Sequence, residues 1–169
     1  MRRSAITALM ATAVGMAAAG TSLAGAGADA GEGHGRQTFT VFATTPPGRI
    51  ALLPVTQGRF SLGDRIVLSD DVFSSKGGSS LGTDGLECTV VRVTDAPSGS
   101  GSLQCVVTFS LPGGQIATQA LNTLTNGAFT GNQTAAITGG TGQYRDASGE
   151  ISIEFLSPTE ANITFSLDN

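Results

Sequence analysis

The feature that most constrains this chain is a two-residue apolar rhythm, repeated in short bursts and cut by glycine, proline, serine and asparagine. "TFTVFATT" (38–45) sets Phe39, Val41 and Ala43 on one face. "GEISIEFL" (149–156) does the same with Ile151, Ile153 and Phe155, and "ANITFSL" (161–167) with Ile163, Phe165 and Leu167. Successive side chains of a strand point to opposite sides, so each burst has one face to bury. "PPG" (46–48), "DAPSGSGS" (95–102), "PGG" (112–114) and "TNGAFTGN" (125–132) punctuate the bursts as turns. "SSKGGSSLGTDG" (74–85) reads as a polar loop, and "LECTVVRVTD" with "SLQCVVTFSL" as a long hairpin. No window after the first thirty residues carries a 3.6-residue apolar stripe. Eight or nine short strands can bury their faces only against one another, which predicts one antiparallel barrel or sandwich domain.

The first thirty residues follow a different rule. Arg2 and Arg3 precede an apolar, alanine-rich run from Ile6 to Ala19, and Ala28-Asp29-Ala30 forms an A-x-A cleavage pattern. This is the layout of an export signal, and Gly15 and Gly20 interrupt the run, against a lasting membrane span. Residues 1–30 are therefore expected to be a signal peptide, 31–37 ("GEGHGRQ") a flexible leader, and 38–169 the folded domain of a secreted protein. Of the nine basic and thirteen acidic residues, Arg2, Arg3 and Asp29 fall in the signal, leaving a net charge of −5. Such a surface repels nucleic acid and anionic lipid.

Two cysteines remain, Cys88 and Cys105, one in each arm of the expected hairpin. In an oxidising compartment they can bridge adjacent strands. The C-x-x-C spacing of a redox pair is absent, which favours a structural staple contributing about 3 kcal/mol. The single histidine, His34, lies in the leader, so nucleophile systems that use a histidine base lack their base. The ligand sets of zinc sites and the calcium loop pattern are likewise missing, and no metal is expected.

The most distinctive segment is "ITGGTGQYRDASGE" (137–150). Gly140-Thr141-Gly142 is a G-x-G, but Arg145 stands where the dinucleotide pattern has its third glycine. An alternating strand follows where a phosphate loop requires a helix, so nucleotide binding is excluded on context. The segment reads as a glycine-rich turn, with Tyr144 packed and Arg145 paired to Asp146 or Glu150.

This segment resembles the V-x-G-G-T-G-x-F-R-x-A-x-G stretch of plant dirigent proteins and the I-T-G-G-x-G-x-F stretch of allene oxide cyclases. "LGDRIVLSDDVFS" (62–74), "GLECTVVRV" (85–93) and "PGGQIATQALN" (112–122) are similar to other strands of those families, in matching order from about Phe60 to Phe165. The resemblance implies an all-β, eight-stranded antiparallel barrel that holds an apolar small molecule in its mouth. It also implies isomerase or cyclase chemistry without metal or organic cofactor, and a trimeric homo-oligomer. Gly139, Gly140, Gly142, Tyr144 and Arg145 occupy the motif positions. Asp70 and Asp71 match the dirigent acidic pair. The dirigent acid before the aromatic and the arginine before the last glycine are replaced here by Gln143 and Ser148.

Candidate catalytic residues are Asp70, Asp71 and Arg92. A buried aspartic acid in the mouth would hold its proton more tightly than usual. Strict alternation places Arg92 with Cys88 and Val90, so it enters the cavity if that face is the inner one, where it would pair with Asp70 or Asp71. The alternatives are a non-catalytic, lipocalin-like binder and a structural surface protein with a filled barrel.

Overall fold

The computed structural model describes residues 36–129 and 131–168. The expected signal segment and the leader up to residue 35 lie outside the described residues. The strands are β1 (Gln37–Thr44), β2 (Ile50–Leu53), β3 (Arg65–Leu68), β4 (Asp71–Phe73), β5 (Ser80–Asp95), β6 (Ser100–Leu111), β7 (Gly114–Thr125), β8 (Ala128–Phe129), β9 (Gln133–Gly140), β10 (Ser148–Ser157) and β11 (Glu160–Asp168). One 3₁₀ turn, Gly142–Tyr144, joins β9 to β10. β1 begins inside the segment assigned to the leader, and Arg36 just before it ion-pairs with Glu150 and Asp168.

The sheet closes on itself. β5 pairs β6, and the ladder then runs through β7, β9, β10, β11, β1 and β4 back to β5, every pair antiparallel. This is the eight-stranded barrel that the alternation and the family likeness predicted. β3 and β4 run along the same edge of β5, Arg65–Leu68 opposite Thr89–Leu86 and Asp71–Phe73 opposite Thr83–Ser80. Ser69 and Asp70 form the break between them. β2 hangs on β3 as an edge strand, and β8 pairs only with the end of β7.

The inner face is set by the rhythm read from the sequence. Val41 and Ala43 of β1, Ile151 of β10 and Ile163, Phe165 and Leu167 of β11 are all buried in one cluster. Phe165 stacks on Phe39 at 4.7 Å and meets Phe109 edge-on at 5.0 Å, filling the barrel end near the 3₁₀ turn. A second cluster, Val90, Leu103, Leu124 and the two cysteines, occupies the other end, with Phe60 packed against it. Cys88 and Cys105 face each other in register on β5 and β6 and are joined as a disulfide. The staple therefore lies on the inner face, not on the surface.

Two local expectations differ from the fold. The supposed loop 74–85 is only partly a loop, because β5 already begins at Ser80. Strict alternation also fails beyond Val90. A β-bulge between Val90 and Arg92 leaves Val91 and Arg92 both exposed and turns Val93 toward the second cluster.

Candidate functional site

The chemistry-bearing feature inside the barrel is a pair of carboxyls at the β3–β4 break. Asp84 lies on the inner face of β5, two residues from Leu86 and four from Cys88, and is only 6% exposed. Its backbone N–H donates to the Asp70 carbonyl at 3.0 Å, and its carboxylate Oδ1 accepts the Asp70 N–H at 3.0 Å. The Ser69 hydroxyl donates to the Asp84 carbonyl at 2.6 Å. The strand break thus frees backbone groups that Asp84 and Ser69 satisfy. Asp70 is half-buried and accepts the Thr45 hydroxyl.

Among the described residues no lysine or arginine forms an ion pair with either carboxyl. Burial pushes the Asp84 carboxyl up to about 7. The charge of Asp70 adds to the rise, and the hydrogen bond from Asp70 opposes it. Asp70 is also raised, mainly by burial. The Thr45 hydroxyl works against that rise, and the charge of Asp71 adds to it. A carboxyl that titrates near neutrality can both give and take a proton.

The other sequence candidates lie elsewhere. Asp71, the first residue of β4, is one-third exposed at its side chain and pairs with Arg49 at 2.6 Å. Arg92 is exposed and forms no ion pair among the described residues, so it does not join the acids. The glycine segment forms the turn at the barrel's far end. Tyr144 packs against the main cluster and donates its hydroxyl to the Pro112 carbonyl at 3.3 Å. Arg145 is exposed, and among the described residues it forms an ion pair with neither Asp146 nor Glu150, the latter being taken by Arg36. Asp84 was missed because it sits in the run read as a loop. Its signal was present all the same: Asp84, Leu86, Cys88 and Val90 step by two along one face.

Asp84 stands opposite Phe109 in register, beside the main cluster. Ala43, Ala120, Ala135 and Ala161 occupy inner-face positions of β1, β7, β9 and β11, where neighbouring positions carry isoleucine, valine or phenylalanine. Two hollows among the described residues open to solvent, and neither is lined by Asp70 or Asp84. One, of about 380 Å³, is bordered by Gln37, Tyr144, Asp146 and Asp168. The other, of about 340 Å³, is bordered by Arg59, Phe60, Leu62 and Val93.

The model of the allene oxide cyclase barrel-like domain matches residues 50–166. The chain belongs to that family. A comparison with curated proteins finds no significant match. Among solved structures, pyocyanin demethylase is 27% identical, with a TM-score of 0.64 over 77% of this chain and 99% of that one. A pterocarpan synthase dirigent protein is 17% identical, with a TM-score of 0.58 over 79% and 83%. A Diels–Alderase from Streptomyces koyangensis is 15% identical, with a TM-score of 0.59 over 83% and 72%. The last two establish likeness of fold, and this barrel-like member carries its acids at the strand break on that shared frame.

Proposed function

We propose that this barrel receives an apolar small molecule that reaches the Asp70–Asp84 pair. Asp84 acts there as proton donor and acceptor in a cofactor-independent isomerisation or cyclisation. One observation carries the reading: Asp84 is buried inside the barrel next to a second acid, and among the described residues neither forms an ion pair. For stability alone such a pair is unfavourable, since apolar residues of similar size would fill the site at lower cost. Its arrangement suits proton transfer near neutral pH. The likeness to pyocyanin demethylase supports a small-molecule role and makes pyocyanin a first compound to try.

Export of the mature domain is part of this proposal, supported by the signal-like first thirty residues and the internal disulfide. So is assembly into trimers, as the family resemblance implies. A non-catalytic binder is the second reading, favoured by the outward position of Arg92 and the filled barrel end around Phe109 and Phe165.

Native mass spectrometry of the exported protein, followed by incubation with pyocyanin, tests these readings. Conversion of pyocyanin by the wild type that Asp84→Asn abolishes supports the acid's role. Ligand retention with identical behaviour of wild type and Asp84→Asn supports the binder. No small-molecule binding in either assay sinks both.

A further inference from the structure

Asp70 is held by a neutral group, although the elements around it carry cations. Arg49 pairs with the next residue, Asp71, at 2.6 Å. Lys76 pairs at 2.8 Å with Glu160, which stands opposite Thr44 in register. Arg65 of β3 pairs with Glu87 of β5, and β1 contributes no charged residue. The remaining charged neighbour is Asp84. Among the described residues the one side-chain donor to the Asp70 carboxylate is the hydroxyl of Thr45, at 2.5 Å. The Asp84 carboxylate accepts the Asp70 N–H instead. The two acids therefore differ: one takes a hydroxyl and is half-buried, the other takes a backbone amide and lies deeper.

Thr45 is suited to this bond because its own freedom is small. Pro46 follows it, and the residue before a proline is confined to extended backbone. Its N–H donates to the Thr159 carbonyl at 2.9 Å, one step past the last rung of the β1–β11 ladder, Thr44↔Glu160. Its β-branched side chain is stiff at χ1. Backbone and side chain thus aim the hydroxyl before any proton moves. A hydroxyl that donates to a carboxylate favours the charged form. On Asp70 the Thr45 bond acts in that direction, against burial, and the charge of Asp70 in turn favours a protonated Asp84.

We propose that Thr45 is the positioning residue of the acid pair: its hydroxyl fixes Asp70 as the charged member and leaves the exchangeable proton on Asp84. Thr45 makes no hydrogen bond to Asp84 among the described residues, so it acts on that proton through Asp70. One charged and one protonated acid give a single defined donor, whereas two equivalent acids would share the proton between them. The functional meaning rests on the reading of Asp84 as the proton-transfer group. To that reading it adds the residue that decides which acid carries the proton.

The test is a carbon-detected NMR titration of the aspartate side chains in the full chain. Thr45→Val keeps the shape and removes the hydroxyl, and Thr45→Ser keeps the hydroxyl. In Thr45→Val the Asp70 midpoint should rise by about one pH unit or more, as loss of a hydrogen bond to a charged group gives. The Asp84 midpoint should move down toward it, because Asp70 no longer carries its full charge while Asp84 titrates. Thr45→Ser should return both midpoints toward the wild-type values. Thr45→Ala serves if the valine variant does not fold. Unchanged midpoints in a folded variant without the hydroxyl overturn the inference, and so does a Thr45→Ser that shifts them as far as Thr45→Val. Failure of the small-molecule assays above overturns the catalytic reading without moving these midpoints, so the two failures are distinct.

Discussion

At the scale of single residues, Asp84 governs the account. Its folded carboxyl titrates near 7, against an ordinary value of 3.8. Below the ordinary value both folded and unfolded chains hold the proton, and the stability it contributes is fully present. As pH rises from about 4 to 7, only the folded state keeps the proton, so stability falls and then levels off above 7. By the usual conversion the loss is on the order of 4 kcal/mol at most. Chemical denaturation across this range should show the decline in wild type and a smaller one, left by Asp70, in Asp84→Asn, which is expected to be the more stable protein at pH 8. The asparagine keeps an acceptor for the Asp70 N–H, so the strand break survives the change. The sequence marked Asp70 and Asp71 as the acidic pair. Folding keeps one of them and replaces the other, because adjacent strand residues face opposite ways. Asp71 turns outward to Arg49, and the partner of Asp70 comes from the next strand.

At the scale of elements, two features decide the geometry. The 3₁₀ turn after β9 depends on glycine where backbones touch. A Cβ at Gly140 would stand 2.4 Å from the carbonyls of Gln115 and Tyr144, and one at Gly142 would stand 2.1 Å from that of Gly113 at a φ of +62°. Gly140→Ala is therefore expected to destabilise the fold by about 2 kcal/mol or more, read as a lower urea midpoint. The glycine motif was legible in the sequence because it answers to steric limits that any member of the fold must meet. The second feature is the disulfide between β5 and β6. Replacing Cys88 and Cys105 together by alanine should cost about 2–4 kcal/mol and lower the melting temperature without changing the barrel. The bulge at Val90–Arg92 was not legible. One inserted residue shifts the phase of the alternation, and "CTVVRVTD" carries no glycine or proline to announce it.

At the scale of the molecule, a buried cluster packs each end of the barrel, and its outer face is uneven. Val67, Val106 and Leu121 stand 36%, 48% and 65% exposed on β3, β6 and β7. The register places Val67 and Val106 on either side of Glu87, and Leu121 beside Gln104 of β6. If the trimer implied by the family covers this face, Leu121→Glu should reduce the native mass to that of one chain. An unchanged mass would place the contact elsewhere. Closure of the barrel was readable from strand alternation and family likeness together. Asp84 was readable in principle from its step with Leu86, Cys88 and Val90, but the glycine and serine around it read as a loop, and its pairing with Asp70 appears only once the register is set. The central claim is that the barrel encloses a carboxyl that titrates near pH 7. Carbon-detected NMR titration of the aspartate side chains tests it most directly. The account predicts one carboxyl with a midpoint near 7 that disappears in Asp84→Asn and moves down in Asp70→Asn; an Asp84 midpoint below about 5 in the folded wild type would contradict it.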